Sequence, residues 1–312
     1  MRILVVGAGA VGGYFGARLA AAGKNVHFLV RPARAALLRD KGLTVVSPVG
    51  DVRLETPLTV TAAEISSPFD LIILTCKAFD LAQAIDDIQP AVGANSRIIP
   101  LLNGMSHLGT LERHFGSAKV LGGQCAVTAT VTPEGTIRHL NAMHAISFGE
   151  REGGISETAG VIEQTLSGAG FDVRASDTIL QDMWEKWYFL ATMAAATCLM
   201  RGPLGAILAA PGGRTLIEEL RSEVTAIASK AGHAPRPPYV ARTDQMLFQQ
   251  GSPVTASMLR DMLAGLPIEA DQIIGDLIDR ADLDELAVPA LRTAYAHLRV
   301  YQAILAARAQ PG

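Results

Sequence analysis

A strand, a glycine-rich turn and a helix at the start of the chain constrain its fold more than any other feature. Residues 2–6 form an apolar run typical of a buried strand. The turn after them has the pattern G-x-G-x-x-G and consists of Gly7, Ala8, Gly9, Ala10, Val11 and Gly12. In this pattern the glycines permit a tight turn, close approach of a pyrophosphate and close packing of helix on strand, and the helix N-terminus attracts the anion. The motif therefore predicts a dinucleotide site, and the alternative is a tight turn that binds nothing.

The rest of the first half alternates short apolar runs with helical patterns. Residues 11–22 are expected to form a helix, and residues 25–30, 71–74 and 98–101 to form strands. Continuously apolar strands are typical of a parallel sheet that is buried on both faces. Residues 119–149 are rich in Val, Thr and Ile and predict further strands. The alternation indicates an α/β fold with a Rossmann-type doubly wound sheet.

From about residue 177 the apolar period becomes that of helices. The predicted helical segments are residues 178–199, 214–231, 255–265, 267–281 and 289–308. We therefore predict two domains, a dinucleotide-binding Rossmann domain at residues 1–176 and an all-helical domain at residues 177–312. The helical half could support a homodimer.

Composition excludes several classes of function. With 27 basic and 30 acidic side chains the net charge is −3, and no basic stripe suits a nucleic acid. Cys76, Cys125 and Cys198 are widely spaced in apolar runs, which is typical of reduced thiols in a cytoplasmic protein and not of a disulfide framework. No metal-binding spacing of histidines is evident. The uncharged run at 187–200 is too short to cross a membrane, so a soluble cytoplasmic protein is expected.

The end of the second predicted strand indicates which dinucleotide is bound. Enzymes that use NAD usually carry a carboxylate there to hold the ribose hydroxyls. This chain has Arg31, and no carboxylate lies between Gly23 and Asp40. An arginine pairs with a 2′-phosphate, whereas an acid repels it. The sequence favours NADP, and the alternative is a solvated surface arginine.

Two further polar residues directly follow apolar strands. Lys77 follows the run at 71–74, and Asn103 follows the run at 98–101. Ligands of open α/β sheets lie outside the carboxyl ends of the strands, so both residues are candidates for ligand contact. Alternatively, each is a loop residue satisfied by solvent or backbone.

Lys186 lies at the edge of an apolar helical stripe, in Trp184-Glu185-Lys186-Trp187. An ammonium that is partly removed from water can act as a proton donor. The alternative is a boundary lysine whose charged end reaches the solvent.

Together these motifs resemble the ketopantoate reductases (2-dehydropantoate 2-reductases) over nearly the whole chain. The resemblance rests on the glycine motif, Arg31, Lys77, Leu102-Asn103-Gly104-Met105, Trp184-x-Lys186, Ser257-Met258-Leu259-x-Asp261 and Ile268-Glu269-x-Asp271. Ser257 and Glu269 have the spacing of the family pattern. The family fold is a Rossmann domain followed by a helical domain, with the active site in the cleft between them.

The resemblance implies an NADPH-dependent reduction of a 2-oxo acid to a 2-hydroxy acid, namely ketopantoate to pantoate in pantothenate biosynthesis. It implies that Lys186 is the proton donor and Glu269 its partner near the cofactor. It places Ser257 on the substrate, Asn103 on nicotinamide and substrate, and Lys77 beside the cofactor. It also matches Ala129 to a backbone cofactor contact. Glu269 has a simpler alternative role, because a carboxylate in the first turn after Pro267 is favoured by the helix dipole.

The chain departs from the family at four positions that normally carry substrate-binding asparagines. Here they are Leu190, Ala194, Leu204 and Val254. Each lost amide bond typically costs about 1–3 kcal/mol, so the pocket is expected to be more apolar and ketopantoate to be a poor substrate. Two alternatives stay open: a relative acting on a different, more apolar 2-oxo acid, and a non-catalytic NADPH-binding sensor.

Overall fold

The computed structural model describes residues 1–309, which divide into two compact units. The first unit consists of Met1–Leu102 and His107–Leu180, and the second consists of Asn103–Ser106 and the chain from Gln181 onward. The short segment Asn103–Ser106 therefore groups with the helical unit, although the sequence placed all of residues 1–176 in the first domain.

Two sheets build the first unit. The strands in chain order are β1 (Arg2–Val6), β2 (Asn25–Leu29), β3 (Leu43–Val46), β4 (Val52–Leu54), β5 (Thr59–Val60), β6 (Phe69–Leu74), β7 (Val92–Pro100), β8 (Gly122–Val131), β9 (Ile137–Gly149) and β10 (Asp172–Ala175). The order β5-β2-β1-β6-β7 forms a parallel sheet, as predicted. A second, mixed sheet has the order β10-β9-β3-β4, with β8 paired to β9. The order of the parallel sheet reverses beside β1, which is where ligands bind in this architecture.

Helices connect the strands of the first unit and build the second. In the first unit they are α1 (Ala10–Ala21), α2 (Pro32–Lys41), α3 (Leu81–Ile88), α4 (Ser106–Phe115) and α5 (Glu157–Leu166). In the second they are α6 (Ile179–Met200), α7 (Leu204–Ala209), α8 (Gly213–Lys230), α9 (Pro237–Leu247), α10 (Ser257–Leu263), α11 (Asp276–Leu283) and α12 (Pro289–Ala309), with a π-helical segment at Asp271–Gly275. Within the described residues, no helix combines the length and the apolar character that a membrane span requires.

Helix α1 packs between the two sheets of the first unit. Its side chains Tyr14, Phe15 and Leu19 belong to one apolar cluster with residues of both sheets. A Cβ added to Gly13 would lie 2.2 Å from Ile137 Cδ1 on β9, so a larger residue at this position would displace the Ile137 side chain. The glycine-rich sequence of α1 therefore lets the helix lie close to both sheets at once.

Helix α6 is the longest helix of the described chain and carries many buried side chains. Trp187 and Tyr188 are among its largest fully buried side chains, and Ala191 and Ala195 are buried on the following turns. A helix that is apolar on most of its surface is buried on most sides, which fits the long uncharged run in the sequence.

Candidate active site

Each glycine of the turn between β1 and α1 is favoured at its position for a different physical reason. Gly7 has φ +96°, a conformation that favours glycine, and its N–H donates to the Leu29 carbonyl at 2.9 Å. A Cβ at Gly12 would lie 2.3 Å from both the Gly7 carbonyl oxygen and Thr75 Oγ1, so α1 can approach the strand only with a glycine there. In the described chain a Cβ at Gly9 would point into open space. The second glycine therefore leaves room for a ligand.

The N-terminus of α1 suits an anion. Its N-cap is Gly9, which has no side chain to cap the helix, and its first turn begins Ala10-Val11 without an acidic side chain. The first N–H groups of a helix lack partners inside the helix and carry the positive end of its dipole. Together with the open space at Gly9, these groups fit the pyrophosphate of a dinucleotide.

An acidic residue lies beside Arg31. Arg31 is the N-cap of α2, directly after β2, and its guanidinium pairs with Asp80 Oδ1 at 2.6 Å. Both side chains are exposed, at 72% for Arg31 and 38% for Asp80. Asp80 lies 49 residues away in the sequence, on the connection after β6. The sequence excluded a carboxylate near Arg31 only within the local segment, and the fold supplies one from elsewhere.

Arg34 reaches from α2 to the glycine turn. Its Nη2 donates to the Ala8 carbonyl at 3.0 Å and to the Gly135 carbonyl at 3.3 Å. Burial lowers the pKa of this guanidinium. Arg34 therefore links the turn to the loop between β8 and β9.

Lys77 and Ala129 also lie in the first unit. Lys77 is partly buried and is the N-cap of a short 3-10 turn after β6, where its carbonyl accepts from the Asp80 N–H at 3.0 Å. Lys77 thus follows the strand next to β1, at the carboxyl edge where the sequence expected it. Ala129 is partly buried on β8, paired with His139 beside an irregularity in the register. Their contacts with a cofactor stay predictions.

Gln272 holds the segment that contains Asn103. Its Nε2 donates to the Asn103 carbonyl at 3.0 Å, and its Oε1 accepts from Ser106 Oγ at 2.5 Å. Gly104, between them, has φ +75°, and a Cβ there would lie 2.6 Å from the Gln272 carbonyl oxygen. The close approach of the π-helical segment thus explains the glycine after Asn103.

Residues before Lys186 on α6 form a buried ion cluster. Glu185 is only 2% exposed, and its carboxylate accepts bonds from the backbone N–H, Nε and Nη2 of Arg236 at 2.6–2.8 Å. Asp182 accepts a further bond from Arg236 Nη2 at 2.6 Å. The bonds to Glu185 raise the pKa of Arg236. This cluster fixes α6 one residue before Lys186, which is itself partly buried.

Trp187 joins the Lys186 region to the segment after Glu269. The indole Nε1 of Trp187 donates to the Ile273 carbonyl at 2.9 Å. Glu269 is buried, at 8% exposed, and its carbonyl accepts from the Ile273 N–H at 3.0 Å. Lys186 therefore directly precedes a residue that is bonded to Ile273, and Glu269 is itself bonded to Ile273. Glu269 also directly precedes the first helical residue, a position that is compatible with the simpler alternative at a helix N-terminus.

The remaining predicted substrate positions also lie in the second unit. Ser257 begins α10 and is exposed. Leu190 and Ala194 follow Lys186 at intervals of four residues, so the three share one face of α6.

The other two positions of lost asparagines lie next to each other. The N–H of Leu204 donates to the Val254 carbonyl at 3.0 Å. Leu204 is fully buried, and Val254 is partly exposed. This pair, like the α6 face after Lys186, is apolar.

Sequence reasoning missed Asp80, Arg34 and Gln272. Asp80 carried a usable signal, because it follows Lys77 by three residues at the same sheet edge. Arg34 follows Arg31 by three residues and lies in the first turn of α2. For Gln272 no local signal exists, since its partners Asn103 and Ser106 are more than 160 residues away.

Comparison with known families gives two matches. The model described as Ketopantoate reductase PanE/ApbA matches residues 3–153, and the model described as Ketopantoate reductase PanE/ApbA C terminal matches residues 178–302. An uncharacterized oxidoreductase of Bacillus subtilis is 38% identical over 303 residues, which is 97% of this chain and 99% of that protein.

Solved structures show the same fold. The 2-dehydropantoate 2-reductase of Geobacter metallireducens is 28% identical, with a TM-score of 0.87 over 96% of this chain and 99% of that one. A D-mandelate dehydrogenase determined with NADH and anilino(oxo)acetate also has a TM-score of 0.87, over 98% of this chain and 100% of that one. Its identity is 21%, so this likeness concerns the fold alone.

Proposed function

The chain belongs to the ketopantoate reductase family, oxidoreductases that act on the C=O/CH–OH pair of 2-oxo acids with a nicotinamide cofactor, and we propose that it reduces a 2-oxo acid to the 2-hydroxy acid with NADPH. The observation that carries the proposal is the position of Lys186. It lies between Glu185, which is fixed in a buried ion cluster, and Trp187, which is bonded to the Ile273 carbonyl. A proton donor needs such a fixed position.

The chain's own residues supply binding and proton transfer. When bound, the nicotinamide supplies the hydride that adds to the carbonyl carbon. As negative charge grows on the carbonyl oxygen, the Lys186 ammonium polarises that oxygen and gives it a proton, and it regains one from solvent. Glu269 stabilises the ammonium, and Ser257 and Asn103 hydrogen-bond the substrate. These roles stay proposals.

The choice of NADPH rests on Arg31. Its guanidinium lies at the carboxyl end of β2, where the adenosine ribose binds in this architecture. The glycine turn and the N-terminus of α1 hold the pyrophosphate. Asp80 competes for the same guanidinium, so the preference for NADPH is expected to be moderate and not absolute.

Two substrate candidates follow. The first is ketopantoate, with pantoate as product, because the Geobacter relative is named for that reaction. The second is a more apolar 2-oxo acid, which the aliphatic face formed by Leu190 and Ala194 after Lys186 favours. Family membership makes the chain an enzyme, so a purely non-catalytic sensor is set aside. Homodimer formation and a cytoplasmic location stay predictions.

A substrate panel tests the proposal. Purified protein is mixed with NADPH and ketopantoate, 2-oxoisovalerate, 2-oxoisocaproate or phenylpyruvate, and the loss of NADPH absorbance is followed. A higher kcat/KM for ketopantoate selects the first candidate, and a higher value for the apolar acids selects the second. Absence of turnover on every acid, with NADPH bound, would contradict the proposal.

Replacing the proton donor tests the mechanism. Lys186→Ala is expected to lower kcat about a hundredfold or more, because general acid catalysis is worth about 10²–10⁴-fold. NADPH affinity should stay near that of the wild type. Lys230→Ala, at the end of α8, removes the same charge from the surface and serves as control. A wild-type kcat in Lys186→Ala would remove this lysine from the mechanism.

A further inference from the structure

Arg34 contacts the backbone of the glycine turn. The cofactor roles proposed for the other residues do not explain this contact. Its Nη2 donates to Ala8, 26 residues earlier, and to Gly135, 101 residues later. The side chain thus bridges two loops that are remote in sequence. Arg31, the N-cap of the same helix, pairs instead with Asp80. The two arginines therefore have different binding partners and different roles.

The bond to Ala8 fixes a peptide plane that faces the proposed ligand. A trans peptide is planar, with its C=O and N–H on opposite sides, so an arginine on the Ala8 carbonyl turns the Gly9 N–H the other way. Gly7 and Gly9 on either side are conformationally permissive, and such a turn does not hold its own peptide planes in place. A guanidinium on the carbonyl oxygen supplies this constraint and polarises the N–H.

The loop between β8 and β9 is shaped around the same guanidinium. Gly135 has φ +90°, and a Cβ there would lie 2.7 Å from Arg34 Nη1. Only glycine therefore allows the loop to close on the arginine while its carbonyl accepts a bond. Arg34 is partly buried, so its charge is less screened than that of the exposed Arg31.

We propose that Arg34 is a positioning residue for nucleotide binding: through the Ala8 carbonyl it orients the Ala8–Gly9 peptide so that the turn can bind the pyrophosphate. The inference rests on the proposed function, because it needs a nucleotide at the glycine turn. NADPH and NADH share the pyrophosphate, so Arg34 serves both. Arg31 serves only the cofactor that carries a 2′-phosphate.

Four ligands separate these roles. Binding of NADPH, NADH, ADP-ribose and adenosine 2′-phosphate to the full-length protein is measured by titration calorimetry. Arg34→Met is expected to weaken the first three, which contain a pyrophosphate, by similar factors of about ten or more. Adenosine 2′-phosphate, which has no pyrophosphate, should bind within about twofold of the wild type. Arg34→Lys keeps the charge and one donor, and should lose less affinity for the same three ligands.

Two arginine variants serve as matched controls. Arg31→Ala should also weaken NADPH, but it should weaken adenosine 2′-phosphate as well and leave the affinities for NADH and ADP-ribose unchanged. Arg39→Met removes an exposed charge from the same helix and should leave all four affinities unchanged.

Three outcomes would overturn the inference. Unchanged affinities in Arg34→Met would show that the bridge is irrelevant to binding, and equal losses for all four ligands would show a general structural or charge effect. If the wild type bound none of the nucleotides, the proposed function would fail as well. The Arg31→Ala variant distinguishes failure of the Arg34 inference from failure of the proposed function. Its expected loss of NADPH affinity depends on the proposed function and not on Arg34.

Discussion

At the scale of single residues, the cofactor preference depends on one exposed ion pair. Arg31 and Asp80 are both solvent-accessible, and such pairs contribute only about 0–1 kcal/mol. A dianionic 2′-phosphate can therefore displace Asp80 from the guanidinium. Arg31→Ala is expected to lower kcat/KM with NADPH about tenfold while leaving the value with NADH nearly unchanged.

Asp80 gives the complementary prediction. Asp80→Asn removes both the competing carboxylate and its repulsion of the phosphate, so kcat/KM with NADPH should rise about threefold and that with NADH should stay constant. Steady-state kinetics with the two cofactors measures both variants. An equal change with NADPH and NADH in either variant would contradict a role at the 2′-phosphate.

At the scale of elements, the ion cluster of Arg236 fixes the N-terminal part of α6 to the chain before α9. Glu185 and Asp182 are almost fully buried, so removing the guanidinium takes away the positive charge that both carboxylates contact. Arg236→Met is expected to lower the free energy of unfolding by about 2–4 kcal/mol, somewhat below the value for a fully buried pair because half of the Arg236 side chain is exposed.

A second arginine on α9 provides the control for this prediction. The Arg242 guanidinium lies over the Tyr239 ring at 4.8 Å, and Arg242→Met should cost about 1 kcal/mol at most. Urea denaturation of both variants measures the difference. Equal stability of the two variants would show that the buried cluster adds nothing to α6.

The elements that the sequence predicted are those with a local apolar pattern. The continuously apolar strands β1 and β6 and the long helix α6 carry that pattern in their own residues. Helix α2 was missed because only Ala35 and Leu38 of its ten residues are buried. Helix α9 was missed because Pro237 and Pro238 were interpreted as a break, whereas prolines in the first turn begin a helix.

The π-helical segment illustrates why part of the site was not predictable. The sequence predicted one regular helix over residues 267–281, but Asp271–Gly275 is π-helical. Its Ile273 carbonyl accepts from Trp187, a bond across 86 residues that no local pattern encodes. Segments of this kind are frequent at functional sites, and here the segment begins two residues after Glu269.

At the scale of the whole molecule, the sequence alone could establish more about the function of the glycine turn than about the roles of the proposed catalytic residues. The turn predicts its ligand because all of its residues are contiguous and each has a geometric reason. Lys186, Ser257 and Glu269 are scattered, and each has an ordinary structural alternative. Only the resemblance to a family assigned them to one reaction, and their roles stay proposals until variants are measured.

The stability of the protein is expected to fall in mild acid, because burial lowers the pKa of His27, His144 and His233 below 6.5. Between that value and the lowered pKa, the unfolded chain binds more protons than the folded one, so the free energy of unfolding decreases as pH falls. Each histidine contributes less than about 1.4 kcal/mol per pH unit in this window, because all three are partly exposed and solvent screens their interactions. Glu223 and Asp276, whose pKa values burial raises, act in the opposite direction at lower pH.

One histidine variant tests the origin of this pH dependence. The midpoint temperature of unfolding should drop between about pH 7.5 and about pH 5.5 in the wild type. His144 lies beside Tyr14, whose hydroxyl is 2.7 Å from its Nδ1, and Arg18 adds to the lowering of its pKa. His144→Gln should therefore reduce the drop, whatever its stability at pH 7.5, while His114→Gln on the exposed surface of α4 serves as control. A midpoint independent of pH in the wild type, or an equal drop in His144→Gln, would mean that these partly buried histidines do not govern the acid sensitivity.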